Sequence, residues 1–179
     1  AVPIQATRSA VYGSTAVRDA MKVLLARTPA GVLESEYAKI TARSMAFEAQ
    51  ITSALNGVNI TTPFPIGSGF SGQLKIVARL IKAHAALGTK RQVFFVHLGA
   101  FDTHNGLLER LPSLLTDVSA SMTAFYQAMA EIGMADQVTT FTSSEFGRTL
   151  TSNGDGSDHG WGGHHLIVGG AVKGAAFYG

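Results

Sequence analysis

Residues 93 to 98 read VFFVHL, and the chain continues GAFDTH to residue 104. Six apolar or ring-bearing positions with no polar alternation make a run of strand length, the pattern of a strand covered on both faces as in a parallel sheet. Upstream, residues 72 to 87 place Leu74, Val77, Ala78, Ile81 and Ala85 at helical spacing before Gly88 stops them. Downstream, residues 107 to 132 carry a long amphipathic pattern that ends at Gly133. VTTFTS at 138–143 then reads as a second strand, a glycine-rich stretch as a loop, and LIVGG at 166–170 as a third strand. Helix alternating with strand predicts an α/β class, with a mostly parallel sheet flanked by helices.

The first 70 residues read differently, as mainly helical. Val17, Ala20, Met21, Leu24 and Leu25 recur at helical spacing over residues 14–26, ahead of breakers at Thr28, Pro29 and Gly31. A second helix is expected over residues 33–55, with Tyr37, Ile40, Met45, Phe47 and Ile51 as its apolar positions and Asn56-Gly57 as its stop. The segment NITTPFPIGSGF at 59–70 reads as a surface loop, with Ser71 or a near neighbour capping the helix that follows. At 179 residues and 46% hydrophobic content the chain is expected to build one domain, or part of one.

Composition removes several function classes. A formal charge of +2, with 14 Lys and Arg scattered singly, offers no basic stripe for nucleic acid. No apolar stretch has the length of a membrane span, and no leader pattern opens the chain. Without cysteine, thiolate sites are excluded, which leaves His, Asp and Glu as the strong metal ligands.

Those residues concentrate in three patches, each beside a run that reads as a strand: FDTH at 101–104, SSEFGRT at 143–149 and SDHGWGGHH at 157–165. Ligands in open parallel sheets bind beyond the carboxyl ends of strands. In extended chain, alternate residues face one way, so Asp102 and His104 can grip one ion while Thr103 faces elsewhere. The other reading makes Asp102 a helix cap and His104 a turn residue. Glu145 occupies the matching place after the second strand. Arg148 is either an oxyanion fork for phosphate or sulfate, or an ion-pair partner of Glu145 or Asp158. In the third patch Asp158, His159, His164 and His165 lie within eight residues, among glycines that permit close backbone approach. His97 is expected to be a hydrogen-bonded core histidine, His84 a helix-surface residue and Trp161 a packing residue.

FFVHLGAFDTH, TTFTSSEFGRTL and NGDGSDHGWGGHHLIVGGAVKGAAFYG, in that order, resemble the second half of the bacterial family called domain of unknown function 1501. The resemblance is detailed from Gln73 to Gly179. That family is placed with alkaline phosphatases, sulfatases and cofactor-independent phosphoglycerate mutases, which implies a partial alkaline-phosphatase-like fold here. It also implies divalent metal, whether zinc, manganese, calcium or magnesium, with Asp102 and His104 as ligands of one ion. Glu145, Asp158, His159 and His164 would supply the remaining ligands. Glu145-Phe146 stands where the superfamily has Asp-His, a departure that bears on whether a second ion is held. The resemblance further implies a nucleophile upstream of residue 1, an exported periplasmic or cell-surface parent protein, and a small-molecule or glycan ester as substrate.

Two function classes follow from these residues. One is metal-dependent hydrolysis of phosphate or sulfate esters; the other is a non-catalytic metal- or anion-binding module of the same fold. A metal-free site using His159 as a base beside Asp158 is a third reading.

Overall fold

A computed structural model describes residues 14–27 and 31–178. It is a mixed α/β structure whose described residues form helices α1 (Thr15–Leu25), α2 (Val32–Leu55), α3 (Gly69–Lys82) and α4 (Leu107–Glu131), with short strands β1 (Thr140–Phe141), β2 (Gly147–Ser152), β3 (Ser157–Gly160) and β4 (Ile167–Val168). Of the breakers expected after α1, Thr28 and Pro29 lie outside the described residues. Two compact units divide the chain: residues 1–59 with 79–92, and residues 60–78 with 93–179. One boundary between them falls within α3.

In the first unit α1 packs against α2. Ser14 caps α1, its side chain accepting the Val17 N–H at 3.3 Å. The expected apolar stripe of α1 is present, yet none of its residues is buried. In α2 only Ile51 and Leu55 are buried, while Tyr37, Ile40 and Phe47 stay exposed. Helical spacing specifies a face; covering that face takes a further layer, which a pair of helices does not supply. At its C-terminal end α2 leaves carbonyls without helical partners. The Arg79 guanidinium takes Leu55 O and Val58 O, each at 2.9 Å.

The second unit holds the larger core. Ile60, Phe70, Leu74, Val77 and Ala78 are buried, as are Val118, Met122, Phe125, Ala128 and Met129 of α4, the latter set at the three- and four-residue spacing of one helix face. Ser68, rather than Ser71, caps α3: its Oγ accepts the Ser71 N–H at 3.0 Å and donates to Asp117 of α4 at 2.8 Å. Near the end of α4, the Glu131 carboxylate accepts the Thr61 and Thr62 N–H groups at 2.9 and 2.7 Å and the Thr62 hydroxyl at 2.7 Å.

The sheets differ from expectation. Among the described residues they are two antiparallel ladders of two strands, β1 with β4 and β2 with β3, and the parallel sheet is not formed. Residues 93–98 are extended but belong to no strand. Val93 and Phe95 are 84% and 95% exposed, while Phe94 and Val96 between them are half-buried. An apolar run fixes the chemistry of both faces of a strand but not the neighbour that must supply its ladder. Here a side chain takes that neighbour's place: Gln73 Oε1 accepts the His97 N–H at 3.0 Å and Gln73 Nε2 donates to His97 O at 2.9 Å. His97 itself is exposed, not a core histidine. His84 lies in the turn beyond α3, its Nδ1 at 2.8 Å from Ile81 O.

Candidate metal centre

The FDTH loop is shaped from both ends. Ala100, with φ of 72°, turns the chain out of the extended run. Gly106, with φ of 59°, begins α4 and lacks a capping side chain. That duty passes to Asp155, whose carboxylate accepts the Gly106 N–H at 3.0 Å and whose carbonyl accepts the Leu107 N–H at 3.1 Å. Between these ends the Thr103 N–H closes a tight turn on Phe101 O at 2.9 Å, and Thr103 is 2% exposed while Asp102 and His104 face solvent.

Opposite this loop stands the β2–β3 hairpin, which the sequence reading left as a loop. Arg148 pairs directly across the ladder with His159. Residues directly opposite in an antiparallel pair share a face, so the guanidinium and the imidazole sit side by side. The hairpin turn is stapled to the FDTH loop by Asn153 Nδ2, which donates to His104 O at 3.1 Å. Gly156 permits the approach: a Cβ there would stand 2.5 Å from Thr103 O.

Asp102 Oδ1 is the centre of the cluster. It lies 3.1 Å from His104 Nε2, 2.9 Å from His159 Nε2 and 3.1 Å from Arg148 NH2. One donor atom each from Asp102, His104 and His159 falls within 4.8 Å of the other two. Zinc bonds of about 2.1 Å put neighbouring donors about 3.0 Å apart at a right angle and about 3.4 Å apart at the tetrahedral angle. The two distances from Asp102 Oδ1 match the right-angle spacing and are about 0.3–0.5 Å short of the tetrahedral one.

Aromatic packing fixes His159. Phe146 stacks on its ring at 4.1 Å with a 10° interplanar angle, and the His104 ring lies 4.9 Å from it at 30°. The Arg148 guanidinium lies over the Phe146 ring at 4.8 Å. It also donates to Phe101 O at 2.8 Å, to Asp102, and to Ser157 O. The fork therefore binds two protein carbonyls and the Asp102 carboxylate, and its ion-pair partner is Asp102. The bond from His159, helped by the nearby charge of His104 and by the Arg148 hydrogen bond, holds the Asp102 carboxyl below its usual range against a desolvation that raises it. Asp158 is lowered likewise, first by its bond with His104 and then by Asn153.

Of the sequence candidates, Asp102, His104 and His159 converge, with Asp158 and Arg148 in contact with them. Glu145 and His164 are exposed and stand outside the cluster. Trp161 is 97% exposed and does not pack in a core. Asn153 and Asp155 have no place in the sequence reading, and Phe146 enters it only as the departure from Asp-His, with no packing role. Asn153 and Asp155 had a signal, since Asn-Gly and Asp-Gly are hairpin-turn pairs; Phe146 had none.

Antiparallel hairpin, helix-capping loop and a carboxylate between two imidazoles define a mixed α/β protein with a candidate metal centre. The family model described as "Protein of unknown function (DUF1501)" matches residues 14–179, and the chain belongs to that family. No curated protein and no solved structure matches it.

Proposed function

We propose that Asp102, His104 and His159 bind one divalent ion, zinc in the first instance, and that the site serves hydrolysis of a phosphate or sulfate ester. The observation that carries this reading is the meeting of a carboxylate oxygen and two imidazole nitrogens from two separate loops within 4.8 Å. Imidazole donors favour zinc over calcium and magnesium, which prefer all-oxygen sites, and two His with one carboxylate is the ligand set of catalytic zinc with a position left open. When bound, such an ion polarises an ester oxygen or lowers the pKa of a water. The protein's own contribution is to hold the donors: Arg148 fixes Asp102, and Phe146 fixes the plane of His159. The resemblance to alkaline-phosphatase-like enzymes supplies the ester class and an exported parent protein as parts of the same proposal.

Elemental analysis after dialysis against zinc tests the site. The chain is expected to retain one equivalent, and His104→Ala to retain none. Cleavage of an aryl phosphate or aryl sulfate by the zinc-loaded protein, together with any upstream segment its gene encodes, tests the hydrolase. Retained zinc without turnover selects the non-catalytic binding module instead, and zinc-free wild-type protein ends both readings.

A further inference from the structure

We infer that Asp158 is a positioning residue of this centre and not a ligand: it holds the His104 ring so that Nε2, the other nitrogen, meets the ion. The inference rests on the metal-site reading above. His104 has its two ring nitrogens on two carboxylates, Nε2 on Asp102 at 3.1 Å and Nδ1 on Asp158 Oδ1 at 3.0 Å. Nε2 is the ring nitrogen that faces Asp102, and Asp158 is not among the three residues whose donors converge. The carboxylate of Asp158 therefore approaches the imidazole from the edge away from the cluster.

The strand explains why two neighbours divide the work. Asp158 and His159 are consecutive in β3, and consecutive residues of a strand project to opposite sides. His159 shares its face with Arg148 and reaches Asp102, while Asp158 meets His104 at Nδ1. A ligating histidine needs its second nitrogen protonated and hydrogen-bonded, because that bond selects the tautomer, fixes the ring plane and raises the basicity of the metal-binding nitrogen.

Asp158 is itself held. Asn153 Nδ2 donates to the same Oδ1 at 3.0 Å and to His104 O at 3.1 Å, so one amide ties the carboxylate and the backbone of the histidine it supports. Asn153 Oδ1 accepts the Gly156 N–H at 2.9 Å, which fixes which end of the amide donates. The chain Gly156, Asn153, Asp158, His104 thus runs from the hairpin turn to the proposed ion.

Zinc competition against a chromophoric chelator, with wild type, D158A and D158N, tests the assignment. Loss of an outer hydrogen-bond partner of a ligating histidine weakens metal binding about 10- to 100-fold, and D158A is expected in that range. D158N keeps an oxygen that accepts the Nδ1 proton and should recover much of the loss, which a general disturbance of the hairpin would not show. Nitrogen-15 NMR of the zinc-loaded wild type should report His104 with zinc on Nε2 and a proton on Nδ1. Zinc held equally by D158A and wild type, or zinc found on Nδ1, overturns the role of Asp158 while leaving the metal site standing. A wild-type chain that takes up no zinc removes the metal site itself. Should D158A fail to fold, the D158N affinity and the wild-type nitrogen spectrum decide the question.

Discussion

Arg148 links the two segments that build the cluster. Its guanidinium joins Phe101 O and Asp102 on one loop to Ser157 O on the hairpin, with its plane against Phe146. The side chain is only 20% exposed. Hydrogen bonds involving a charged group contribute about 1.5–3 kcal/mol each when one partner is removed. Arg148→Ala is therefore expected to destabilise the second unit by about 2–3 kcal/mol in urea unfolding and to weaken zinc binding with it. Arg148→Lys should restore little, since an ammonium cannot serve both loops with a planar fork. At this scale the sequence was informative where a short rule applies: the i, i+2 spacing of Asp102 and His104 already placed them together. The same rule applied to adjacent Asp158 and His159 would have separated their roles. What no local rule conveys is that Arg148 and His159 stand opposite each other, because that register belongs to a hairpin not seen in the sequence.

That hairpin is the element on which the centre depends, and its glycines obscured it. Gly147, Gly154, Gly156 and Gly160 read as a loop because glycine weakens a strand. Here Gly147 and Gly160 face each other across the ladder with no room for a side chain, a Cβ on Gly147 falling 2.5 Å from Gly160 O. Gly156→Ala would press against the FDTH backbone. Overpacking of this kind costs about 1–3 kcal/mol, and hydrogen exchange should show residues 101–107 loosening together with the turn. The run at 93–98 shows the opposite error, an apolar pattern that promises a strand but joins no ladder among the described residues. The helices were legible to within a few residues, because 3.6-residue periodicity needs no partner to declare itself; their burial was not, since it depends on what covers them.

Glu131 ties α4 to the segment after α2 and gives the second unit an acid sensitivity. The N–H of Thr61, then the hydroxyl and N–H of Thr62, lower its carboxyl from 4.5 to about 2. A folded-state value below the unfolded one contributes stability above the unfolded value and loses it as pH falls. Unfolding monitored between pH 6 and pH 2 should therefore show this contribution intact above about pH 4.5 and lost on the way down to about 2. In Glu131→Gln that segment of the profile should flatten. Asp102 and Asp158, also lowered, act in the same direction, so acid weakens the anchor and the Asp/His cluster together.

For the molecule as a whole, the two units have different reasons to be stable. The first has a helix pair with few buried side chains; the second has a larger core, and its site loops are joined by hydrogen bonds among half-exposed groups. No helix among the described residues is long and apolar enough to cross a membrane. An ion bound only by the native second unit stabilises that unit by mass action, about 2.7 kcal/mol at a free concentration one hundred times its dissociation constant. For a domain near 100 residues each kcal/mol moves the melting temperature by about 4–8 °C, so saturating zinc should raise the transition of the second unit by about 10–20 °C. Hydrogen exchange followed peptide by peptide should locate the added protection in residues 101–107 and 147–162, with α1 and α2 unchanged. His104→Ala should abolish the shift. A zinc-induced rise spread evenly over both units would place the ion elsewhere than on Asp102, His104 and His159.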